Sequence, residues 1–285
     1  MAKVRLTKKR AKWAAPRNAT LKGTPLSYPA APAARYEKSL DVLIRDMRAD
    51  YQREILRLFR TVAQDGQITM DANLGSQARI LFSALGKKWA KLFAQRSTAI
   101  TERMVASVDK HSMHSLGESL RTISGGLTIK VPAMPAGMAD VLKATVAENV
   151  ALISSISTQY QERIEGAVYR SIQQGGRGAA DVYDEVIKIG GMSERRAHLI
   201  ATDQTRKATS AFNRERAKSV GIRKGIWRHS GGSGEPRKKH VDFDGHEFDL
   251  DEPPAIGDKG QRVMPGEEIA CKCYWTPILA DFDSL

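Results

Sequence analysis

The chain has almost no cysteine: two residues in 285, one position apart at Cys271 and Cys273. Two cysteines do not make a disulfide scaffold, and nothing else in the sequence argues against a reducing compartment. No apolar run approaches the roughly 18 residues that a membrane span needs. The opening "MAKVRLTKKRAKWAAPR" carries charge with no apolar stretch behind it, so it does not read as a secretory signal. P-loops, dinucleotide glycine motifs and serine elbows are all missing. A catalytic reading therefore starts weak. Hydrophobic residues, by contrast, are not scarce: at 41% they suffice for one or two packed cores and exclude a disordered chain.

Positive charge is what the chain has in excess. The formal net is +13 and the pI about 9.8. Residues 1–22 hold eight basic residues (Lys3, Arg5, Lys8, Lys9, Arg10, Lys12, Arg17 and Lys22) and no acid. Residues 241–285 hold eleven acids against three bases, a net of −8 that leaves +21 on residues 1–240. Such segregation points to a polyanionic partner for the N-terminal part and a different environment for the tail. The bland alternative is a solvated charge run on a basic protein.

Residues 1–34 read as a basic, proline-containing flexible arm, because Pro16, Pro25, Pro29 and Pro32 supply no N–H donors and no apolar period accompanies them. From Arg35 the pattern changes. Leu40, Leu43, Ile44, Met47, Tyr51, Ile55 and Leu58 recur at spacings of three and four, which predicts an amphipathic helix over 36–63. The same period predicts helices over 77–110 and 138–174. Leu127 to Val131, set among glycines and prolines, suits a short strand or an extended link. A short helix is expected over Ala180–Lys188. After Gly190-Gly191 a new helix is expected, capped by Ser193 with Glu194 in its first turn, and stopped by Gly221. Past Gly225 the helical period disappears, and short, partly alternating runs predict strands and turns. The expected fold is thus α+β, mostly α: a long-helix bundle followed by a small C-terminal α+β domain with short strands. Its parts are an arm (1–34), an N-terminal helical region (35–137), further helices (138–224) and a strand-and-turn domain (225–285).

Several chemistries compete for the C-terminal stretch. Cys271, Cys273, His240 and His246 offer soft or borderline ligands of the kind zinc takes tetrahedrally. One spacer residue in an extended strand would aim the two thiols at opposite faces, unless a turn at Lys272 makes them converge. A Cys271–Cys273 disulfide would need a bent backbone and would close almost no loop. Cysteine-nucleophile catalysis would need His240 within hydrogen-bond reach. The acids Asp242, Asp244, Glu247, Asp249, Asp251 and Glu252 do not follow EF-hand spacing and read as a solvated hairpin. We prefer a hydrogen-bonded structural His240 to a zinc ligand, so no cofactor is expected, with zinc as the alternative. Trp227, Phe243, Phe248 and Trp275 are the expected apolar centre of this domain. Nucleic-acid contact is better supported. Lys8, Lys9, Arg10 and Lys12 lie beside Trp13, and Arg195, Arg196, Arg206, Lys207, Arg214, Arg216 and Lys218 lie on a later helix. None makes a base-reading motif, so the implied DNA binding is sequence-independent and salt-sensitive.

In order along the chain come "ENVALISSISTQYQERIEGAV", a glycine-rich break, "SERRAHLIATDQTRKATSAFNRERAKSVGI", the tryptophan run "GIWRHS", "DFDGHEF" and the close "CKCYWTP". This order resembles the Mu F-like head-morphogenesis family, the minor head proteins of tailed bacteriophages, over about residues 138–280. The most specific part is the set Trp227, Arg237, His240, Asp244, Gly245, Cys271, Cys273 and Pro277. Two departures stand out. The acid that usually precedes the arginine is missing or replaced by Glu235, and the usual Cys-Arg-Cys is Cys-Lys-Cys. The resemblance implies a virion protein inside the capsid near the portal, in the host cytoplasm during assembly. Its implied partners are the portal protein, packaged double-stranded DNA and the major capsid or scaffold protein, with no membrane. It implies no enzymatic activity. Some relatives carry a fused toxin domain; with twelve residues after Cys273, none is expected here. The alternative is a toxin-like or other enzyme that uses the His/Cys cluster. On the resemblance, Cys-x-Cys and His240 are the closing knot of a small domain.

Overall fold

The computed structural model describes residues 20–64, 73–126, 128–173, 178–231 and 235–279. In chain order the elements are β1 (Leu21–Lys22), α1 (Ala30–Gln64), α2 (Asn73–Ile123), α3 (Met138–Gln173), α4 (Gly178–Ser219), β2 (Lys224–Arg228), α5 (Lys238–Asp242), β3 (Glu247–Asp249) and β4 (Tyr274–Leu279). The fold is mostly α with one small antiparallel sheet, as the periodicity predicts. The chain divides into two compact units. One joins Ala34–Arg103 with Val146–Ala201; the other joins Met1–Ala33, Met104–Thr145 and Thr202–Leu285.

Among the described residues, the first unit is built from helical segments alone. Leu40, Leu43, Ile44, Met47 and Tyr51 of α1, Phe82 and Phe93 of α2, and Ile153, Ile156 and Tyr160 of α3 are almost wholly buried. In α1 and α3 they are the three-to-four-spaced residues of the sequence, so the stripe that predicts the helix is also what it buries; in α2 the stripe runs through Phe82 instead of Ile80, which is exposed. Tyr51 meets Tyr160 edge to face at 5.2 Å and Phe82 at 6.4 Å. Some polar groups inside are paired, although the Tyr51 and Tyr160 hydroxyls have no hydrogen-bond partner among the described residues. The Tyr36 hydroxyl donates to Asn149 Oδ1 at 2.8 Å. Buried Asp50 accepts from Lys88 Nζ at 2.6 Å and Trp89 Nε1 at 2.9 Å.

The break predicted at Gly190-Gly191 does not occur: α4 runs unbroken from Gly178 to Ser219. Ser193 is not a cap, and its hydroxyl donates back to the Ile189 carbonyl at 3.3 Å. Two interior glycines cost roughly 1 kcal/mol each against alanine. Buried Val182, Val186, Ile189, Ala197 and Ile200 continue the stripe across them and outweigh that cost. A Cβ at Gly190 would meet the Arg48 side chain at 2.2 Å, so the glycine leaves the space through which Arg48 pairs with Glu194. Likewise α2 extends to Ile123, past the expected end at 110, because Leu116, Leu120 and Ile123 carry its apolar period onward into burial.

The second unit holds the sheet, ordered β1-β4-β2-β3. Within β2, Trp227 stands opposite Trp275 of β4, and Gly225 stands opposite Pro277 and Phe248. A Cβ on Gly225 would meet the Trp275 ring at 2.6 Å and the Phe248 ring at 3.2 Å. The missing side chain lets both rings lie across the strand. Trp227 meets Phe243 at 5.9 Å and Phe248 at 6.0 Å, and Phe248 meets Trp275 at 6.1 Å. The four aromatics expected at the centre of this domain are therefore in contact there. The α4 helix ends as expected: Gly221 has φ +89° and Ile222 N–H returns to the Ala217 carbonyl at 2.9 Å. Residues 128–131 form no strand.

The reading of 1–34 as one flexible arm needs correction from residue 20 onward. Leu21 and Lys22 pair with Leu279 and Ile278, Leu26 N–H donates to the Trp275 carbonyl at 2.9 Å, and α1 begins at Ala30. Pro32 is tolerated there because the first turn of a helix has no carbonyl partner for its missing N–H. Leu21 and Leu26 are buried, so single apolar residues anchor a stretch that carries no period. Residues 1–19 lie outside the described residues.

Candidate functional site

The site forms where the five-residue α5 meets the run into β4. His240 sits in α5 and is 2% exposed. Cys271 and Cys273 are buried, free thiols in a segment that is not a strand, since β4 begins only at Tyr274. Strand alternation therefore does not set the directions of these two side chains. Two features bend the chain ahead of them. Ala270 has φ +59°, a left-handed conformation in which its N–H meets the Asp203 carboxylate at 2.8 Å. Cys271 N–H then closes a turn onto the Glu268 carbonyl at 2.9 Å. Both sulfurs consequently face His240 Nδ1, at 3.5 Å for Cys271 and 3.8 Å for Cys273. Among the described residues these three form the metal-capable group of His, Cys, Asp and Glu, with ligand atoms all within 4.8 Å of one another.

The far side of the imidazole is acidic. His240 Nε2 lies 3.1 Å from Glu268 Oε2, with Glu268 itself almost fully buried. The approach is too oblique to count as a formed hydrogen bond, and neither atom makes a hydrogen bond elsewhere among the described residues, though Arg237 Nε stands 3.4 Å from the same Glu268 oxygen. The other carboxylate oxygen of Glu268 accepts from Asp258 N–H at 3.0 Å and Gln261 Nε2 at 2.8 Å, which fixes the group in place. Arg237 holds the rim. Its guanidinium donates to Asp258 at 2.8 Å and to the Ile269 carbonyl at 3.0 Å, and stands 3.4 Å from Glu268. That hydrogen bond from Arg237 holds the Asp258 carboxyl below its ordinary range. The Trp227 ring covers His240 edge-on at 5.1 Å.

The two thiols divide their roles. A hydrogen bond from the Cys273 thiol is the main cause that pulls the Cys271 thiol well below its ordinary value, against burial and with help from His240 and the backbone N–H groups of Cys273 and Gly266. Giving up that hydrogen bond, together with burial, pushes Cys273 up. One proton of the pair leaves easily and the second resists. An open pocket of about 260 Å³, lined by Glu235, Arg237, His240 and both cysteines, lies against the cluster.

The remaining predicted residues are distributed as follows. Asp244 accepts from His229 N–H at 2.8 Å, and Gly245 turns the chain at φ +78°. Pro277 lies in β4 opposite Gly225. The acids of 242–252 form local turns and ion pairs: Asp249 accepts from Asp251 N–H at 2.6 Å, and Asp251 pairs with Lys218 and Arg223. His246 stacks on Phe243 at 5.2 Å and is not among the three grouped ligands. Lys8, Lys9, Arg10 and Lys12 lie outside the described residues. Of the α4 bases, Arg216 is fully buried, ion-paired with Asp109 and bonded to the Ala133 carbonyl at 3.1 Å. It is therefore structural, contrary to its place in the DNA-facing set. Arg206 lies over the Tyr28 ring at 4.3 Å. Arg195 and Arg196 share an open pocket of about 230 Å³ with Arg163. Glu268, Asp258, Ala270 and Asp203 were missed from sequence. Only Glu268, three residues before Cys271 in "GEEIACKC", carried a local hint.

Residues 162–276 match the family described as "Phage Mu protein F like protein". That span contains every knot residue named from sequence except Pro277, and it places the resemblance with the Mu F-like phage family on the stretch that builds the site. An uncharacterized protein of Haemophilus influenzae is 27% identical over 248 residues, 86% of this chain and 52% of that protein. The uncharacterized protein YqbB of Bacillus subtilis is 28% identical over 131 residues, 41% of this chain and 42% of that protein. The chain thus spans about half the length of these curated relatives. No solved structure matches it.

Proposed function

We propose that this chain is a minor head protein of a tailed bacteriophage, held at the portal vertex inside the capsid, where it contacts the portal and the packaged DNA. The Mu F-like match over 162–276 carries the reading, since it covers the residues that build the His240–Cys271–Cys273 knot. The charge supports DNA as a neighbour. Residues 1–240 carry +21, and seven bases precede residue 20 without a single acid. Contact of this kind neutralises phosphates and reads no sequence. A role in head morphogenesis and DNA ejection follows from such a place. The knot is read as structural rather than catalytic: its thiols are buried and its imidazole is packed under Trp227.

Particle composition tests the reading. A phage or prophage carrying this chain is induced with the gene intact and with an early stop codon, and DNA-filled heads are purified. The intact phage is expected to yield heads in which the chain resists external protease and crosslinks to the portal. Loss of the chain is expected to lower the yield of infectious particles. Heads that lack the chain yet are complete and infectious would overturn the proposal.

A further inference from the structure

We propose that His240 Nδ1 and the sulfurs of Cys271 and Cys273 bind one zinc ion, whose fourth position faces the adjoining pocket and is completed by water. The inference is independent of the portal placement, because it stands on the geometry of the knot alone.

The spacing comes first. A tetrahedral ion with bonds of about 2.3 Å to sulfur and about 2.0 Å to nitrogen has N···S edges of roughly 3.5 Å. The observed edges are 3.5 and 3.8 Å. A thiol–imidazole hydrogen bond explains one such distance. Without an ion the second sulfur is held only indirectly, through the hydrogen bond from Cys273 to Cys271, because a neutral Nδ1 accepts one S–H. A shared ion accounts for both sulfurs facing one nitrogen.

The surroundings are those of a ligand set rather than of a packed thiol pair. Glu268, its side chain largely enclosed, stands behind Nε2 at 3.1 Å, and its other oxygen is held by Asp258 and Gln261. A carboxylate in that place keeps the proton on Nε2 and leaves Nδ1 free to bind a metal. A small rotation of the ring on metal binding would straighten that oblique contact into a hydrogen bond for both atoms. Donors also face the sulfurs: backbone N–H groups of Gly266 and Cys273 toward Cys271, and the Trp227 indole N–H, otherwise without a partner, toward Cys273. Two N–H-solvated thiolates neutralise a divalent ion, and Arg237 balances Glu268 nearby. The bend at Ala270 is the conformational cost of bringing the thiols together, and strain of this kind persists where function requires it. The pocket beside the cluster provides the ion's entry path.

The full chain, purified without a metal-binding tag from cells grown with added zinc, is expected to contain about one zinc per molecule. Replacing zinc by cobalt should produce sulfur-to-cobalt charge-transfer absorption and the visible bands of a tetrahedral ion. Cys271→Ser and Cys273→Ser should abolish both. Because either variant risks unfolding the small domain, Glu268→Gln provides the second arm. It keeps the three ligands and should weaken zinc binding roughly tenfold to hundredfold, with the circular dichroism spectrum unchanged. Protein that contains no zinc, takes up no cobalt, and leaves both thiols equally reactive toward a thiol reagent with and without zinc overturns the proposal. Zinc retained in both cysteine variants overturns it too, as does a Cys271–Cys273 disulfide in freshly isolated protein.

Discussion

The two units are held by different means. In the helical unit the same kind of residue is used again and again: Leu43, Ile44, Met47, Phe82, Ile153 and Ile156 are interchangeable in character and share the burial among them. In the unit that carries the sheet, nearly every important residue is used once. Trp227 packs on Phe243, Phe248 and His240 together, Gly225 makes way for two rings, and Ala270 turns the chain at one point. Redundant packing tolerates small changes and fails on charge. A small domain with few large residues fails when any one of them is lost.

The sharpest way to break the first pattern is a charge in its middle. Ile153→Asp places an unpaired carboxylate at a fully buried position, and desolvation should cost more than the unit's margin of stability. The expected outcome is loss of cooperative unfolding in a denaturant titration. A folded Ile153→Asp protein would mean that the stripe there is a partner surface and not core.

Trp227→Ala should be the most damaging single truncation in the sheet-bearing unit, at about 3–5 kcal/mol. By contrast Leu43→Ala in the helical unit should fall toward the lower end of about 2–5 kcal/mol. Equal costs, measured by chemical denaturation, would remove the distinction between redundant and single-use packing.

Arg216→Met tests whether a paired buried charge behaves like a single-use residue. Its guanidinium is fully buried and Asp109 is partly exposed, so the loss should fall near the lower end of the roughly 3–5 kcal/mol range for a broken buried pair. Arg170→Ala, which breaks an exposed pair with Glu185, should cost no more than about 1 kcal/mol.

Asp50 sharpens the comparison through pH. Burial raises its carboxyl, but hydrogen bonds from Lys88 and Trp89 and the charges of Lys88 and Arg53 outweigh this and hold it below the ordinary value. A carboxyl whose folded pKa is depressed contributes stability above its unfolded pKa of about 3.9, and that contribution disappears as pH falls through the folded value. Asp50→Asn should therefore lose roughly 1–3 kcal/mol at neutral pH. The difference from the natural chain should close below about pH 4. Melting curves across that range provide the check.

The smallest effect on stability is expected at the N-terminus. Removing residues 1–19 takes away seven bases and should reduce the slope of log affinity for DNA against log salt by up to about 6, at roughly 0.9 per phosphate contact. Removing four residues more takes β1 as well, and should lower the melting temperature, since Leu21 is buried and pairs with Leu279. An unchanged salt slope after the first truncation would remove the basic residues from DNA contact.

The long helices and the order of the site residues were legible in the residues themselves. A period of three to four over eight turns has one structural solution, and Gly221 past the last turn has one use. The same reasoning failed at Gly190-Gly191, where packing across the glycines overrode their local preference, and at 20–34, where a few anchored residues sufficed without any period. In the site, His240, Cys271 and Cys273 stood out as residue types suited to metal or redox chemistry, yet alternation misjudged how the two thiols point.

Residue types and their periods therefore determined that this chain is mostly helical, that it is basic at one end and acidic at the other, and that a histidine and two cysteines close its C-terminal domain. Tertiary structure alone decided that both sulfurs meet one imidazole nitrogen, that Glu268 stands behind the ring, that Ala270 turns the chain between them, and that Arg216 is buried. Each of these depends on a backbone angle or on a partner remote in the chain. Local sequence encodes neither, because the free energy that selects them arises only when the distant segments pack.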